Sequence, residues 1–227
     1  MASPSVSTGG WPEAVIFDFD GLLMDTESTS FESWRYEWEQ WGLTLDSDGF
    51  FAEHGGDITE KRYEDLAAAV GRTFDREASH ERRMTFRDGL HADLGLRPGV
   101  HQWVTEARSL GISTAVASSS PTPWVVDHLS RVGAVGDFDV FACGDEVSLP
   151  KPAPDVYQLA LERLGIDGSS ALAVEDTPHG IDAAKAAGLR ACAIPNPHAS
   201  HARCSHADLI LTSAAEMPLS QALSHLA

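Results

Sequence analysis

Cations are scarce in this chain. Sixteen lysine and arginine residues stand against 34 aspartate and glutamate residues among 227, a formal net charge of −18. That balance excludes general nucleic-acid binding, which needs a basic face, and it excludes an anionic membrane surface as partner. An anionic substrate would be repelled by the overall field, so local cations at a site would have to overcome it. Cysteine is also scarce: Cys143, Cys192 and Cys204 cannot all pair, and their spacing suggests no disulfide frame, so a cytoplasmic location is expected. No apolar run approaches the length of a membrane span. The first residues are small and polar, with neither a basic region nor an apolar stretch; residues 1–12 are expected to be a disordered tail and not a secretory signal. No long apolar surface stripe demands a second chain, so a monomer is expected.

What is present is an ordinary globular composition, 43% hydrophobic, long enough for one sizeable domain or a core with a smaller companion. The informative stretch comes early. A short apolar run over 13–17 reads as a buried strand and ends abruptly in Asp18, followed by Phe19, Asp20 and Gly21. Residues i and i+2 of an extended chain share a face, so two carboxylates stand side by side at a strand end. They repel one another, and either a cation sits with them or one of them holds a proton.

From residue 28 to 94 the pattern is helical throughout. Phe31, Trp34, Trp38 and Trp41 recur at helical spacing over 30–41 and are read as a packed face. Further helices are expected over 46–54, 58–70 and 75–94. From residue 97 onward strands and helices alternate. Strands are expected over 112–117, 140–143, 171–174, 191–194 and 209–211, and helices over 98–110, 123–131, 154–164, 178–187 and the C-terminal stretch. Alternation of this kind means a parallel sheet covered on both faces. The predicted fold is therefore α/β, a doubly wound parallel sheet made of residues 13–27 and 95–227, interrupted by an all-helical insert over 28–94 that can form a lid over the site.

Three further strand ends carry chemistry. The strand over 112–117 runs into Ser118, Ser119 and Ser120; hydroxyls and backbone N–H groups at a helix start suit a phosphate-like anion, although a helix cap would need only one serine. Lys151 lies between Pro150 and Pro152 in a locally rigid loop and could supply the missing cation. The strand over 171–174 runs into Glu175 and Asp176. Carboxylates there suit a helix N-terminus, and they are also hard oxygen ligands of the kind that hold Mg2+.

Together, Asp18-Phe19-Asp20-Gly21, Ser118, Lys151-Pro152-Ala153-Pro154-Asp155 and Glu175-Asp176, in that order after successive strands, resemble the haloacid dehalogenase-like hydrolase superfamily, in its beta-phosphoglucomutase-like phosphatase branch with a helical cap. The resemblance implies that Asp18 is a nucleophile forming an aspartyl-phosphate and that Asp20 is the general acid and base. It implies Mg2+ held by the side chains of Asp18 and Asp176 and the main-chain carbonyl of Asp20, with Glu175 binding directly or through water. It implies that Ser118, with backbone N–H groups near Leu22 and Ser119, holds the phosphoryl oxygens, and that Lys151 neutralises charge between Asp18 and the phosphate. The insert would be the cap, with His54 as either a substrate contact or a surface-loop histidine.

The expected activity is Mg2+-dependent hydrolysis of a small phosphomonoester, sugar phosphates included. The runner-up is a phosphoglucomutase, but Ser30 stands where the mutase-type sequence has a histidine. A 2-haloacid dehalogenase would dispense with Asp20, and so would phosphonate cleavage through a cap lysine, leaving Lys61 as a solvated helix residue. A non-catalytic protein on the same fold predicts decay of at least one motif, and all four are intact. The group His198, His201, Cys204 and His206 matches no common zinc-site spacing and is read as a surface connection.

Overall fold

A computed structural model describes residues 10–52, 58–196 and 201–226. Strand β1 (Ala14–Phe17) is the centre of a sheet with β2 (Ser113–Ala117), β3 (Val140–Ala142), β4 (Ala171–Glu175), β5 (Arg190–Ala193) and β6 (Leu209–Ile210). The order is β3-β2-β1-β4-β5-β6 and every pairing is parallel. The chain winds outward from β1 to one edge, then returns and winds to the other. The connections therefore diverge beside the C-terminal end of β1, where open sheets of this kind keep their ligand crevice.

The two faces of the sheet are built differently, and the sequence shows why. Val15, Phe17, Val116, Leu172, Val174 and Cys192 join one core cluster, while Ala14, Ile16, Ala115, Ala117, Ala171, Ala173, Ala191 and Ala193 join the other. This is the period-2 alternation of a strand. Small residues on the second face admit α7 (Asp155–Leu164) and α8 (Pro178–Ala186), whose Val156, Tyr157, Ala160, Ile181 and Ala184 pack against it. The larger side chains face α5 (Val100–Ser109), α6 (Thr122–Arg131) and α9 (Leu219–Leu226). All three cysteines are buried and free.

Between β1 and α5 the chain forms α1 (Thr26–Gln40), α2 (Ser47–Ala52), α3 (Thr59–Val70) and α4 (Arg76–Ala92). The first three share an aromatic cluster of their own: Phe31, Trp34, Phe50, Phe51 and Tyr63. Burial of a phenylalanine-sized side chain contributes roughly 1.5–3 kcal/mol, so this cluster is a core in miniature. Phe31 and Trp34 occupy it, while Trp41 turns its indole N–H to Glu37 at 3.2 Å. The α1–α4 interface is largely polar. Buried Glu37 accepts from Ser79 (2.7 Å) and Arg82 (2.6 Å), and buried Arg83 donates to Tyr63 (2.9 Å) and Ser33 (3.1 Å).

α1 starts at Thr26, four residues before the sequence-based start at 30, because Asp25 caps it by accepting from the Ser28 N–H at 3.1 Å. The connection leaving β1 is correspondingly short. α2 spans Ser47–Ala52 within the expected 46–54, and residues 53 and 54, His54 included, lie outside the described residues. Among those residues no helix is long and apolar enough to cross a membrane.

Candidate active site

Asp18 follows directly on β1, and its N–H bonds to the Val174 carbonyl of β4 at 2.9 Å. That bond carries the strand pairing one residue further and fixes the backbone beneath the carboxylate. Glu175 closes β4 and Asp176 follows it. The result brings Asp18 together with an adjacent acidic pair from far along the chain: ligand-capable oxygens of Asp18, Glu175 and Asp176 all lie within 4.8 Å of one another, and all three residues are buried.

Lys151 enters this cluster from the loop before α7. Its ammonium lies 2.5 Å from Asp18 Oδ1, 2.6 Å from Glu175 Oε1 and 2.8 Å from the Ala117 carbonyl. All three N–H donors of a lysine are thereby used. Tyr157 adds its hydroxyl to Glu175 Oε1 at 2.7 Å, and the Asp176 N–H donates to Glu175 Oε2 at 3.2 Å. Room for the Glu175 carboxylate comes from Gly180, where a Cβ would stand 1.9 Å from the carboxyl carbon.

The charges do not balance. Three buried carboxylates share one ammonium, which contacts Asp18 and Glu175; were all three ionised, two negative charges would go unmatched by it. Burial, helped by Glu175 and Asp20 and opposed by Lys151, pushes the Asp18 carboxyl up to about 8. Asp176 is raised well above the carboxylate range by burial, then by Asp18 and Glu175. Burial works against the Lys151 charge, but Asp18 and Glu175 outweigh it and hold the lysine above its ordinary value. Asp176 Oδ1 is buried with no hydrogen-bond partner. An all-oxygen donor set, more carboxyl groups than one ammonium can match and an orphaned carboxylate oxygen together fit a divalent hard cation such as Mg2+.

The other carboxylate of the first motif lies apart from this cluster. Asp20 Oδ1 accepts from Thr26 Oγ1 (2.8 Å) and from the Trp124 indole Nε1 (2.9 Å), and Oδ2 accepts from Ser120 Oγ (2.5 Å). The pair at the strand end therefore has divergent surroundings: Asp18 faces cation and carboxylates, Asp20 faces neutral donors. Of the serines, Ser118 is buried at the end of β2, and its Oγ accepts from the Ser120 N–H at 3.0 Å. Ser119 is exposed, and Gly144 lets its carbonyl pass where a Cβ would be 2.0 Å away.

Sequence reasoning missed Thr26, Ser120 and Trp124 around Asp20, and Tyr157 behind Glu175. Trp124 and Tyr157 sit on helix faces and look like packing residues; only Ser120, in the serine run already singled out, carried a local signal. It also missed Arg87 on α4, whose guanidinium lies 5.2 Å from the Trp124 ring centre and whose buried Nε has no hydrogen-bond partner. Lys61 is half exposed and pairs with Asp65 at 2.7 Å. Of the histidine-rich segment, His198 lies outside the described residues. Cys204 is buried beside the Asp176 carbonyl, and His206 pairs with Asp182 at the surface.

A family model described as haloacid dehalogenase-like hydrolase matches residues 15–194. The Bacillus subtilis protein YhcW is 34% identical over 94% of this chain and 97% of its own length. A Thermotoga maritima protein named phosphorylated carbohydrates phosphatase is 33% identical over 78% of this chain and 82% of its own. The crystal structure of a CbbY variant from Rhodobacter sphaeroides, in complex with xylulose-1,5-bisphosphate, is 32% identical. It superposes with a TM-score of 0.67 over 90% of this chain and 96% of that one.

Proposed function

Because the chain belongs to the haloacid dehalogenase-like hydrolases, we propose that it is a Mg2+-dependent phosphatase that hydrolyses a small phosphorylated carbohydrate through an aspartyl-phosphate on Asp18. The observation that carries this reading is the buried cluster of Asp18, Glu175 and Asp176 around a single ammonium, with Asp20 held apart among neutral donors. The substrate class is supported by the relative named for phosphorylated carbohydrates and by the CbbY variant crystallised with a sugar bisphosphate.

The chain's own groups divide the work. Asp18 attacks phosphorus, and the bond from phosphorus to the leaving oxygen breaks. Asp20 gives that oxygen a proton, then takes one from the water that cleaves the Asp18 phosphoryl bond, which regenerates both carboxyl groups. Ser118 Oγ and backbone N–H groups near Leu22 and Ser119 hold the phosphoryl oxygens. Lys151 neutralises charge where an anionic nucleophile meets an anionic phosphate. The side chains of Asp18 and Asp176 and the Asp20 carbonyl would hold Mg2+, with Glu175 binding directly or through water. Bound there, Mg2+ supplies Lewis-acid stabilisation of the phosphoryl charge.

Residues 28–94 act as a cap over a catalytic core of 13–27 and 95–227. Arg87 is a cap cation that faces this site: it sits over the ring of the tryptophan that bonds Asp20, with its Nε unpartnered. It would bind the substrate's polar groups away from the reacting phosphorus.

The test is release of inorganic phosphate from a panel of phosphorylated sugars, with and without Mg2+. Mg2+-dependent release from at least one member is expected. No release from any member by folded protein in Mg2+ would overturn the reading, and conversion of a hexose 1-phosphate to the 6-phosphate would favour the mutase.

A further inference from the structure

The donors around Asp20 are not equivalent. Thr26 and Ser120 are hydroxyls, which can turn to donate or accept. The Trp124 indole N–H can only donate, and it points at Oδ1 from 2.9 Å. The indole is itself fixed. Its ring lies 4.1 Å from that of buried His128, which bonds the Trp124 carbonyl through Nδ1 at 2.8 Å. His91 meets it edge-on at 5.4 Å, and Arg87 lies over it at 5.2 Å.

A proton on Oδ1 would compete with two donors, Thr26 Oγ1 and the indole N–H, and the indole cannot turn to accept it. A proton on Oδ2 meets Ser120 Oγ, which can accept. Ser120 is also the residue whose N–H bonds Ser118 Oγ, so Oδ2 is the oxygen on the side of the serine run. We infer that Trp124 is a positioning residue that fixes Asp20 Oδ1 as the accepting oxygen, so that Oδ2, beneath Ser120, delivers the proton to the leaving group and takes it back from water. The inference rests on the reading of Asp20 as general acid and base.

In the first half-reaction the Asp18 oxygen bonds to phosphorus, the bond from phosphorus to the leaving oxygen breaks, and the Oδ2 proton goes to that oxygen. In the second, water oxygen bonds to phosphorus, the bond to Asp18 breaks, and a water proton returns to Oδ2. No further reactant is needed.

The experiment compares kcat/KM of the full chain in Mg2+ for an alkyl phosphate, whose leaving group needs the proton, and for 4-nitrophenyl phosphate, whose leaving group does not. Asp20→Asn must depress the alkyl substrate selectively; if it does not, the reading of Asp20 is what fails. With that established, Trp124→Phe is expected to lower kcat/KM for the alkyl phosphate about tenfold, part of the 10²–10⁴ that a positioned acid contributes. The aryl phosphate should stay within about twofold, with the melting curve retained. Equal loss on both substrates, or none on either, overturns the inference. Should Trp124→Phe fail to fold, Ser120→Ala decides: selective loss on the alkyl phosphate supports Oδ2 as the delivering oxygen, and a uniform loss or no loss overturns it.

Discussion

The Lys151 ammonium lies 2.5 Å from Asp18 Oδ1 in a socket that leaves its side chain only 7% exposed. The same nitrogen also meets Glu175 and the Ala117 carbonyl, so each of its N–H bonds has an acceptor. Asp18, the proposed nucleophile, and the Lys151 ammonium are thus held as one unit by residues from three strand ends.

Lys151→Met should reduce turnover by about 10²–10³-fold, the usual cost of removing one preorganised electrostatic group. It should also destabilise the fold by about 3–5 kcal/mol, because it strips the partner from a buried charge pair. Lys151→Arg should not restore activity. A planar fork cannot place donors toward three acceptors converging on one nitrogen. Steady-state kinetics and denaturant unfolding measure the two effects separately.

Asp176 separates metal binding from stability. Wild type should be stabilised by about 2.7 kcal/mol when Mg2+ is a hundredfold above its Kd, a rise of roughly 5–10 °C for a chain of this size. Asp176→Asn removes a carboxyl whose ionised form burial, Asp18 and Glu175 all oppose, so the metal-free fold no longer bears the cost of keeping it protonated. It should melt above wild type without Mg2+ and lose the Mg2+-dependent rise. Thermal melts with and without the metal read both signs.

His91 gives the stability its acid limb. Burial first, then Arg87 and His128, lowers its pKa from the ordinary 6.5 to about 4. Its ring nitrogens meet Thr29 at 2.8 Å and His128 at 3.2 Å, which ties α4 to α1 and α6. A histidine kept neutral in the fold binds fewer protons there than in the unfolded chain. Its contribution is complete above about pH 6.5 and is lost as the pH falls toward about 4. Melting temperature should therefore drop across that window, and His91→Asn should make the drop shallower.

The sheet and its strand ends were legible because each signal was local. The apolar run over 14–17 stops at Asp18, and the run over 171–174 stops at Glu175-Asp176; a two-residue period or an abrupt change of polarity needs no knowledge of the rest of the chain. The early start of α1 hinged on Asp25, whose role as a cap shows only once the Ser28 N–H is seen to donate to it. Trp124 was illegible for a different reason. An aromatic at helical spacing reads as core, and nothing nearby in sequence marks its indole N–H as reaching Asp20, over a hundred residues earlier. Gly180 is similar: a helix glycine looks incidental until the Glu175 carboxylate is found in the space a Cβ would fill. Local chemistry could be read, and contacts across the fold could not.

On the proposed mechanism, Asp18 carries the phosphoryl group. Wild type and Asp18→Asn can each be incubated in Mg2+ with a substrate from the panel bearing a radiolabelled phosphoryl group, quenched in acid and digested. Label on the peptide containing Asp18 in wild type, with neither label nor phosphate release in Asp18→Asn, is the predicted result. Label on another residue, or sustained phosphate release by Asp18→Asn, would contradict it.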